Sequence, residues 1–251
     1  MSRTVLVTGA TAGFGEAIAY KFAKDQNKII ITGRRQDRLN KVEEEIKNLG
    51  GEALSLCFDV RKQNEVIGAV KSIPEEFKSI DILVNNAGLA SGLDPIQDGS
   101  TEDWDRMIDT NVKGLLYVSN EVIPLLEDGT GHIINIGSTA GKEVYPKGNV
   151  YCASKHAVDA ISKGMRLDLL PRRIKVTQIS PGAANTEFST VRFHGDREKA
   201  DSLYTDYEPL LAEDIAELTY YAANLPVHVC INDLVVTSLA QGNSYVFNKK
   251  K

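Results

Sequence analysis

Tyr151 and Lys155 stand four residues apart in the stretch Tyr151-Cys152-Ala153-Ser154-Lys155, thirteen positions after Ser138. On a helix that spacing puts the phenol and the ammonium on one face. A free phenol titrates at about 10, too high for an efficient acid-base group at neutral pH. A nearby ammonium stabilises the phenolate and is expected to lower that value. The pair therefore reads as a tuned proton donor and acceptor. Each residue alone would be unremarked: a lysine on a helix surface, a tyrosine in packing.

A glycine loop at the other end of the chain gives this pair something to act with. Val5-Leu6-Val7 runs into Thr8-Gly9-Ala10-Thr11-Ala12-Gly13-Phe14-Gly15, and a helical pattern through Ala17, Ile18, Phe22 and Ala23 follows at once. Strand, glycine turn and helix in this order is a dinucleotide-binding context. Gly9 permits the tight turn, Gly13 lets backbone approach a pyrophosphate, and Gly15 lets helix and strand pack closely. The helix N-terminus offers unpaired N–H groups to the phosphates. Gly9, Thr11, Gly13, Phe14 and Gly15 form the expected cofactor-binding set here. The spacing is not that of a P-loop, because no Gly-Lys-Ser/Thr follows.

The second apolar run, Ile29-Ile30-Ile31-Thr32, ends in Gly33-Arg34-Arg35. A free ribose 2′-hydroxyl is usually read by a carboxylate at this strand end. Two arginines stand there instead, and guanidinium groups suit a 2′-phosphate. The cofactor is therefore expected to be NADP(H) rather than NAD(H). Asp59, with Val60 beside it, ends a third run and could accept from an adenine amino group. Asn85-Asn86-Ala87-Gly88 ends a fourth, where Asn86, Ala87 and Gly88 would let backbone pass close to the adenosine ribose.

The elements that must position these residues alternate along the chain. Short apolar runs at 5–7, 28–32, 53–58, 81–85, 132–137, 174–180 and 233–237 read as strands covered on both faces. Between them lie helical patterns, such as the stripe Leu39, Val42, Ile46 and Leu49. A further helix opens near Thr101 as N-cap, and a long one spans 149–170 until Pro171 stops it. This alternation predicts a single α/β domain: a Rossmann-like, doubly wound parallel sheet of about seven strands with helices on both faces.

Composition narrows the function classes. The chain has 251 residues, 42% hydrophobic and 25% charged, with a formal net charge of −5. That balance suits a globular domain and disfavours nucleic acid or anionic membrane as a partner. The basic runs are short: Arg34-Arg35, Arg172-Arg173 and the terminal Lys249-Lys250-Lys251, read as a solvated tail. Cys57, Cys152 and Cys230 form no C-x-x-C motif, so buried thiols in a reducing cytoplasm are expected. Neither a secretory leader nor a membrane span is read in the sequence. The histidines His132, His156, His194 and His228 have no metal-ligand spacing, so no metal is expected.

Taken together, Thr8-Gly9-x-x-x-Gly13-x-Gly15, Asn85-Asn86-Ala87-Gly88, Asn111, Ser138, Tyr151-x-x-x-Lys155 and Pro181-Gly182 resemble the short-chain dehydrogenase/reductase family over most of the chain. The resemblance implies that Tyr151 exchanges a proton with the substrate oxygen, which Ser138 holds. Lys155 would also bond the nicotinamide ribose, and Asn111 would anchor a water that joins Lys155 to solvent. Pro181, Gly182 and Thr186 would follow the nicotinamide. The family often has Val where this chain has Ala184.

The Gly-Arg-Arg sequence, Gly137-Ser138-Thr139-Ala140-Gly141, the stretch 188–196 and Tyr204-x-x-Tyr207 are similar to the NADP-dependent 3-hydroxy acid dehydrogenase branch. That resemblance implies substrates such as serine, allo-threonine or a semialdehyde, with Arg192 as the candidate for the substrate carboxylate. Two other readings stay open: a broad carbonyl or 3-oxoacyl reductase, and an NADPH-sensing protein without turnover. Relatives of this kind are commonly homo-oligomers, dimers or tetramers.

Overall fold

The computed structural model describes residues 2–249. Its strands are β1 (Thr4–Val7), β2 (Lys28–Gly33), β3 (Glu52–Cys57), β4 (Ile82–Asn85), β5 (His132–Ile136), β6 (Lys175–Pro181) and β7 (Asp233–Val236). They form one seven-stranded sheet in the order β3-β2-β1-β4-β5-β6-β7, and each pairing is parallel. The expected Rossmann-like architecture is therefore observed. The chain winds outward from β1 in one direction to β3, then returns to place β4 on the other side. Between β1 and β4 lies the topological switch point, where open α/β sheets bind ligands.

The helices are α1 (Gly13–Ala23), α2 (Gln36–Asn48), α3 (Gln63–Lys71), α4 (Thr101–Ile108), α5 (Leu115–Val122), α6 (Asn149–Asp168), α7 (Glu187–Arg192), α8 (Arg197–Ser202) and α9 (Ala212–Ala223). Strand periodicity sorts them onto two faces. Val5 and Val7 point to the layer holding Ile18, Phe22, Leu39, Val42, Ile46 and Ile215, from α1, α2 and α9. Leu6, one residue out of phase, points to the layer with Val66, Val70, Val118 and Val122, from α3 and α5. The inner strands are thus buried on both faces along nearly their whole length, and most of their positions are apolar, because neither face is wet.

The rim departs from that expectation. β3 and β7 are only partly covered, since each has a single neighbouring strand. Cys57 at the end of β3 is exposed and Cys230 half-buried, so only Cys152 is a buried thiol. Other differences are local. The helix near 101 begins one residue earlier in effect, with Ser100 at the cap position and Thr101 inside. α6 ends at Asp168, before Pro171, which sits in the short turn Leu170–Arg172. The proline disfavours helical backbone in the residue preceding it, so termination comes early.

The Arg172 guanidinium is a brace rather than part of a basic patch: it donates to Asp128 at 2.6 Å and to the carbonyls of Ile123 and Leu126. Of the terminal lysines, Lys249 lies over the Tyr207 ring at 5.9 Å, while Lys250 and Lys251 lie outside the described residues. Among the described residues no helix is long and apolar enough to cross a membrane, and no group of three His, Cys, Asp or Glu side chains could hold a metal.

Candidate active site

A cleft runs along the carboxyl ends of β1, β2, β3 and β4, from Arg34 and Arg35 at one end to Tyr151 and Lys155 at the other. Its floor is backbone, and the glycines explain why. Gly9 has φ +67°, and a Cβ there would lie 2.9 Å from the Ala87 Cα. Gly13 has φ +59° and faces Thr186, whose side chain would be 3.4 Å from an added Cβ. Side chains at these positions are disfavoured by the backbone conformation itself.

Gly15 lies beneath the loop. A Cβ on it would run into Asn86 and the Gly9 carbonyl, so it packs the helix onto the strand without lining the cleft. Thr8 then stitches the β1 and β4 loops together. Its hydroxyl accepts from the N–H groups of Asn86 and Ala87, both at 3.0 Å, while the Asn86 amide donates to the Thr8 carbonyl at 2.8 Å. Ala12 caps α1 with no side-chain hydrogen bond, so the N–H groups of the first turn keep no side-chain partner. Bare backbone, free N–H groups and two arginines at the far end fit an elongated anionic dinucleotide.

At the arginine end, Arg35 donates to the Thr11 hydroxyl at 2.8 Å. Arg34 stands 3.9 Å from Asp59. Asp59 lines the cleft beside Val60, but its carboxylate is gripped by Arg61 through Nε at 3.0 Å and a terminal nitrogen at 2.6 Å. Burial would raise the Asp59 carboxyl, and the Arg61 hydrogen bonds outweigh it, so it titrates below the usual carboxylate range.

At the other end the groups are buried. Lys155 donates to the Ile136 carbonyl at 2.9 Å. Burial lowers its pKa to about 8. Burial likewise pushes the Tyr151 phenol above its ordinary value. Tyr145 adds to that rise, while Ser138 and Arg192 oppose it. The expectation that Lys155 would lower the phenol is not met in this structure. Removal from water penalises the charged form of each group, and the lysine spends its hydrogen bond on the Ile136 carbonyl. The result is a phenol that keeps its proton beside an ammonium that is easier than usual to discharge.

Ser138 follows β5 and caps the short turn Thr139–Gly141, accepting from Ala140 at 3.1 Å. Asn111 is not in a regular helix. It lies in a π-helical turn, Asp109–Gly114, between α4 and α5. Its amide is engaged at both ends: it accepts from the Leu89 N–H at 2.8 Å and donates to the Leu89 carbonyl at 2.8 Å and the Ser154 hydroxyl at 3.0 Å, which leaves one acceptor site on Oδ1. It does not touch Lys155. Gly88 lies between them. A Cβ there would be 3.3 Å from Asn111 Oδ1 and 3.6 Å from Lys155 Nζ, so glycine leaves that space open.

A second cavity adjoins the first and shares Tyr151, Phe188 and Thr186 with it. Ser138, Pro181, Gly182 and Arg192 line this one. Arg192 ends α7 with its guanidinium 5.4 Å from the Tyr145 ring and 5.7 Å from the Tyr151 ring. Its Nε donates to the Gly92 carbonyl at 3.2 Å, but Nη2 is buried with no partner. Phe188 packs edge-on against Tyr151 at 5.7 Å. Thr186 caps α7 through the Phe188 N–H at 3.3 Å.

Several residues here went unmarked in the sequence. Tyr145, Gln241 and Phe247 also line the second cavity, and Gln241 accepts from the Ala183 N–H at 2.8 Å. None of them sits at a strand end or in a spaced motif. Only the bulk and polarity of Tyr145, in the loop between Ser138 and Tyr151, offered a signal.

Comparison with known proteins agrees with this geometry. A family model described as short chain dehydrogenase matches residues 3–196. An NADP-dependent 3-hydroxy acid dehydrogenase of Salmonella typhi is 48% identical over 94% of this chain and 95% of its own length. Sulfoacetaldehyde reductase 2 of Chromohalobacter salexigens is 45% identical over 96% of each chain. The closed form of a serine dehydrogenase complexed with NADP+ superposes with a TM-score of 0.91 at 45% identity, covering 98% of this chain and 99% of that one. With a cofactor cleft, a buried Tyr-Lys pair and these matches, the chain belongs to the short-chain dehydrogenase family.

Proposed function

We propose that this protein is an NADP(H)-dependent dehydrogenase of 3-hydroxy acids, acting on a carbon one methylene-type atom removed from an anionic group. The observation that carries the substrate half is the buried Arg192 Nη2 with no partner, next to Tyr151. A buried guanidinium N–H left without an acceptor is costly, and a bidentate oxyanion satisfies it. 3-Hydroxy acids and sulfoacetaldehyde, on which the relatives named above act, both place an acid group at this distance from the reacting carbon. The cofactor half is supported by Arg34 and Arg35 at the end of β2, with no carboxylate at that position, and by the NADP in the names of relatives.

When bound, the nicotinamide supplies or accepts the hydride, and the chain's own residues do the rest. Tyr151 gives its proton to the carbonyl oxygen in reduction and removes it in oxidation. Burial keeps the phenol protonated at neutral pH, ready for the first role. Ser138 holds the reacting oxygen. Lys155 would bond the nicotinamide ribose and support the phenolate once it forms. The open space beside Gly88 would admit a water joining Lys155 to Asn111. Asp59 and Val60 would border the adenine, Asn86 to Gly88 would follow the adenosine ribose, and Pro181, Gly182 and Thr186 would follow the nicotinamide. The whole chain works as one domain in this reading.

NADP+ reduction across a panel tests this: serine, allo-threonine, other 3-hydroxy acids, a sulfonate analogue, neutral alcohols of the same length and 3-hydroxyacyl thioesters. Turnover should favour the anionic members. Equal or better turnover of neutral alcohols or acyl thioesters would instead indicate a broad carbonyl or 3-oxoacyl reductase, and no turnover with any of them a cofactor-sensing protein. We also propose a homo-oligomer in a reducing cytoplasm. Leu167 at the end of α6, Leu170 in the turn after it and Val235 on the β7 edge are exposed apolar groups suited to a second copy. Cys57, Cys152 and Cys230 are all unpaired thiols.

A further inference from the structure

Glu187 is the first residue of α7, and its carboxylate reaches across the mouth of the cofactor cleft to the arginines beyond β2. Oε1 accepts from Arg38 at 2.6 Å and Oε2 from Arg35 at 3.3 Å. Arg35 is shared, because its other terminal nitrogen donates to Thr11 in the glycine loop. Burial would raise the Glu187 carboxyl, but the bonds from Arg38 and Arg35 outweigh this and hold it below its ordinary range. It is an anion at neutral pH. A guanidinium placed to read a phosphate is thus already held by an internal carboxylate.

We infer that Glu187 competes with the cofactor's 2′-phosphate for Arg35, and so sets both the affinity for NADP(H) and the rate at which it leaves. Side chains of Arg35 and Glu187 are 41% and 43% exposed, so their ion pair is weak and can exchange with an incoming anion. A phosphate taking Arg35 must either displace the carboxylate or stand beside a like charge. Arg38 keeps the carboxylate anchored at the mouth in either case, so the repulsion persists while the cofactor is bound. A cofactor without that phosphate makes no such demand. Glu187 therefore acts against NADP(H) and leaves NAD(H) nearly untouched, offsetting part of what Arg34 and Arg35 contribute. The competition also favours release, a step that limits turnover in many enzymes.

This inference rests on the NADP(H) reading and is independent of the substrate. The test uses full-length Glu187→Gln and Glu187→Asp with no substrate present. NADPH and NADH affinities are read from fluorescence titration, and NADPH release from stopped-flow displacement. Glu187→Gln should bind NADPH roughly three- to tenfold tighter, with slower release, while NADH affinity changes less than about twofold. Glu187→Asp should stay near the parent, and added salt should shrink the gain. Weaker NADPH binding in Glu187→Gln would overturn the inference, making Glu187 a support that orients Arg35. So would equal gains for both cofactors, or identical behaviour of the two variants. A parent that binds NADH as well as NADPH fails the cofactor reading itself. A parent that prefers NADPH, with no gain in Glu187→Gln, fails only this inference.

Discussion

The two ends of the cleft handle charge in opposite ways. At the mouth, Arg35 and Arg38 pair with Glu187 at 3.3 and 2.6 Å and Arg34 stands 3.9 Å from Asp59, with the arginines and Glu187 partly in water. Water screens them, so recognition there depends on several modest contacts acting together. At the chemical end, Tyr151 and Lys155 are 9% and 6% exposed, and burial moves both titrations. Contacts there are few, and removing one leaves a buried group without its partner. One region presents opposed charges to solvent; the other buries two titratable groups and shifts both by desolvation.

Single substitutions should therefore have unequal effects at the two ends. Tyr151→Phe removes the proton donor while keeping the ring on Phe188. Turnover should fall by about 10²–10⁴-fold, with NADPH affinity by fluorescence titration nearly unchanged. Near-normal turnover would erase the contrast, since the buried end would then hold no chemistry. Next in size is Arg192→Ala, which should raise KM for a 3-hydroxy acid by roughly 10- to 100-fold and leave a neutral alcohol unaffected. An unchanged KM would return Arg192 to a packing role between Tyr145 and Tyr151.

At the mouth, exchanging Arg34 and Arg35 together for alanine should raise KM for NADPH by about tenfold or more, with NADH little altered. The loss should diminish as salt is added. An equal effect on both cofactors would mean that the arginines do not read the phosphate.

Stability sharpens the same comparison. The Lys155 pKa lies at about 8, below its ordinary 10.5. Below pH 8 both folded and unfolded chains carry the proton, and the folded state bears the penalty of a buried ammonium. Between about 8 and 10.5 the unfolded chain holds the extra proton, so this residue's contribution to stability rises with pH. Lys155→Met should accordingly raise the unfolding free energy at pH 7 measured by chemical denaturation, by up to about 3 kcal/mol, and abolish turnover. Arg34→Ala should shift stability by less than about 0.5 kcal/mol. A destabilised Lys155→Met would mean that the bond to the Ile136 carbonyl outweighs desolvation.

Much of this architecture was legible before any coordinates. The apolar runs predicted all seven strands to within a residue or two, because inner strands of a doubly covered sheet admit no polar face. The glycine loop was equally clear, since a tight turn with positive φ at Gly9 and Gly13 leaves few residue types to choose from. Legibility failed where a residue's surroundings come from distant segments. The exposed Cys57 reflects a strand's place at the sheet edge, and the π-helical turn around Asn111 leaves no trace in the spacing of apolar residues.

Residue types and local spacing determined the Tyr151 and Lys155 pair on one helix face, the glycine turn after β1 and the two arginines after β2. These depend on turns and helix faces, which short stretches of chain encode. Tertiary structure alone decided the environment of each group. It buried Tyr151 and Lys155 so that their titrations moved in directions the i, i+4 pairing did not predict. It also brought Glu187 from the far side of the chain onto Arg35 and Arg38. Desolvation and long-range ion pairing depend on what packs around a residue, and that is fixed only when strands far apart in sequence come to lie side by side.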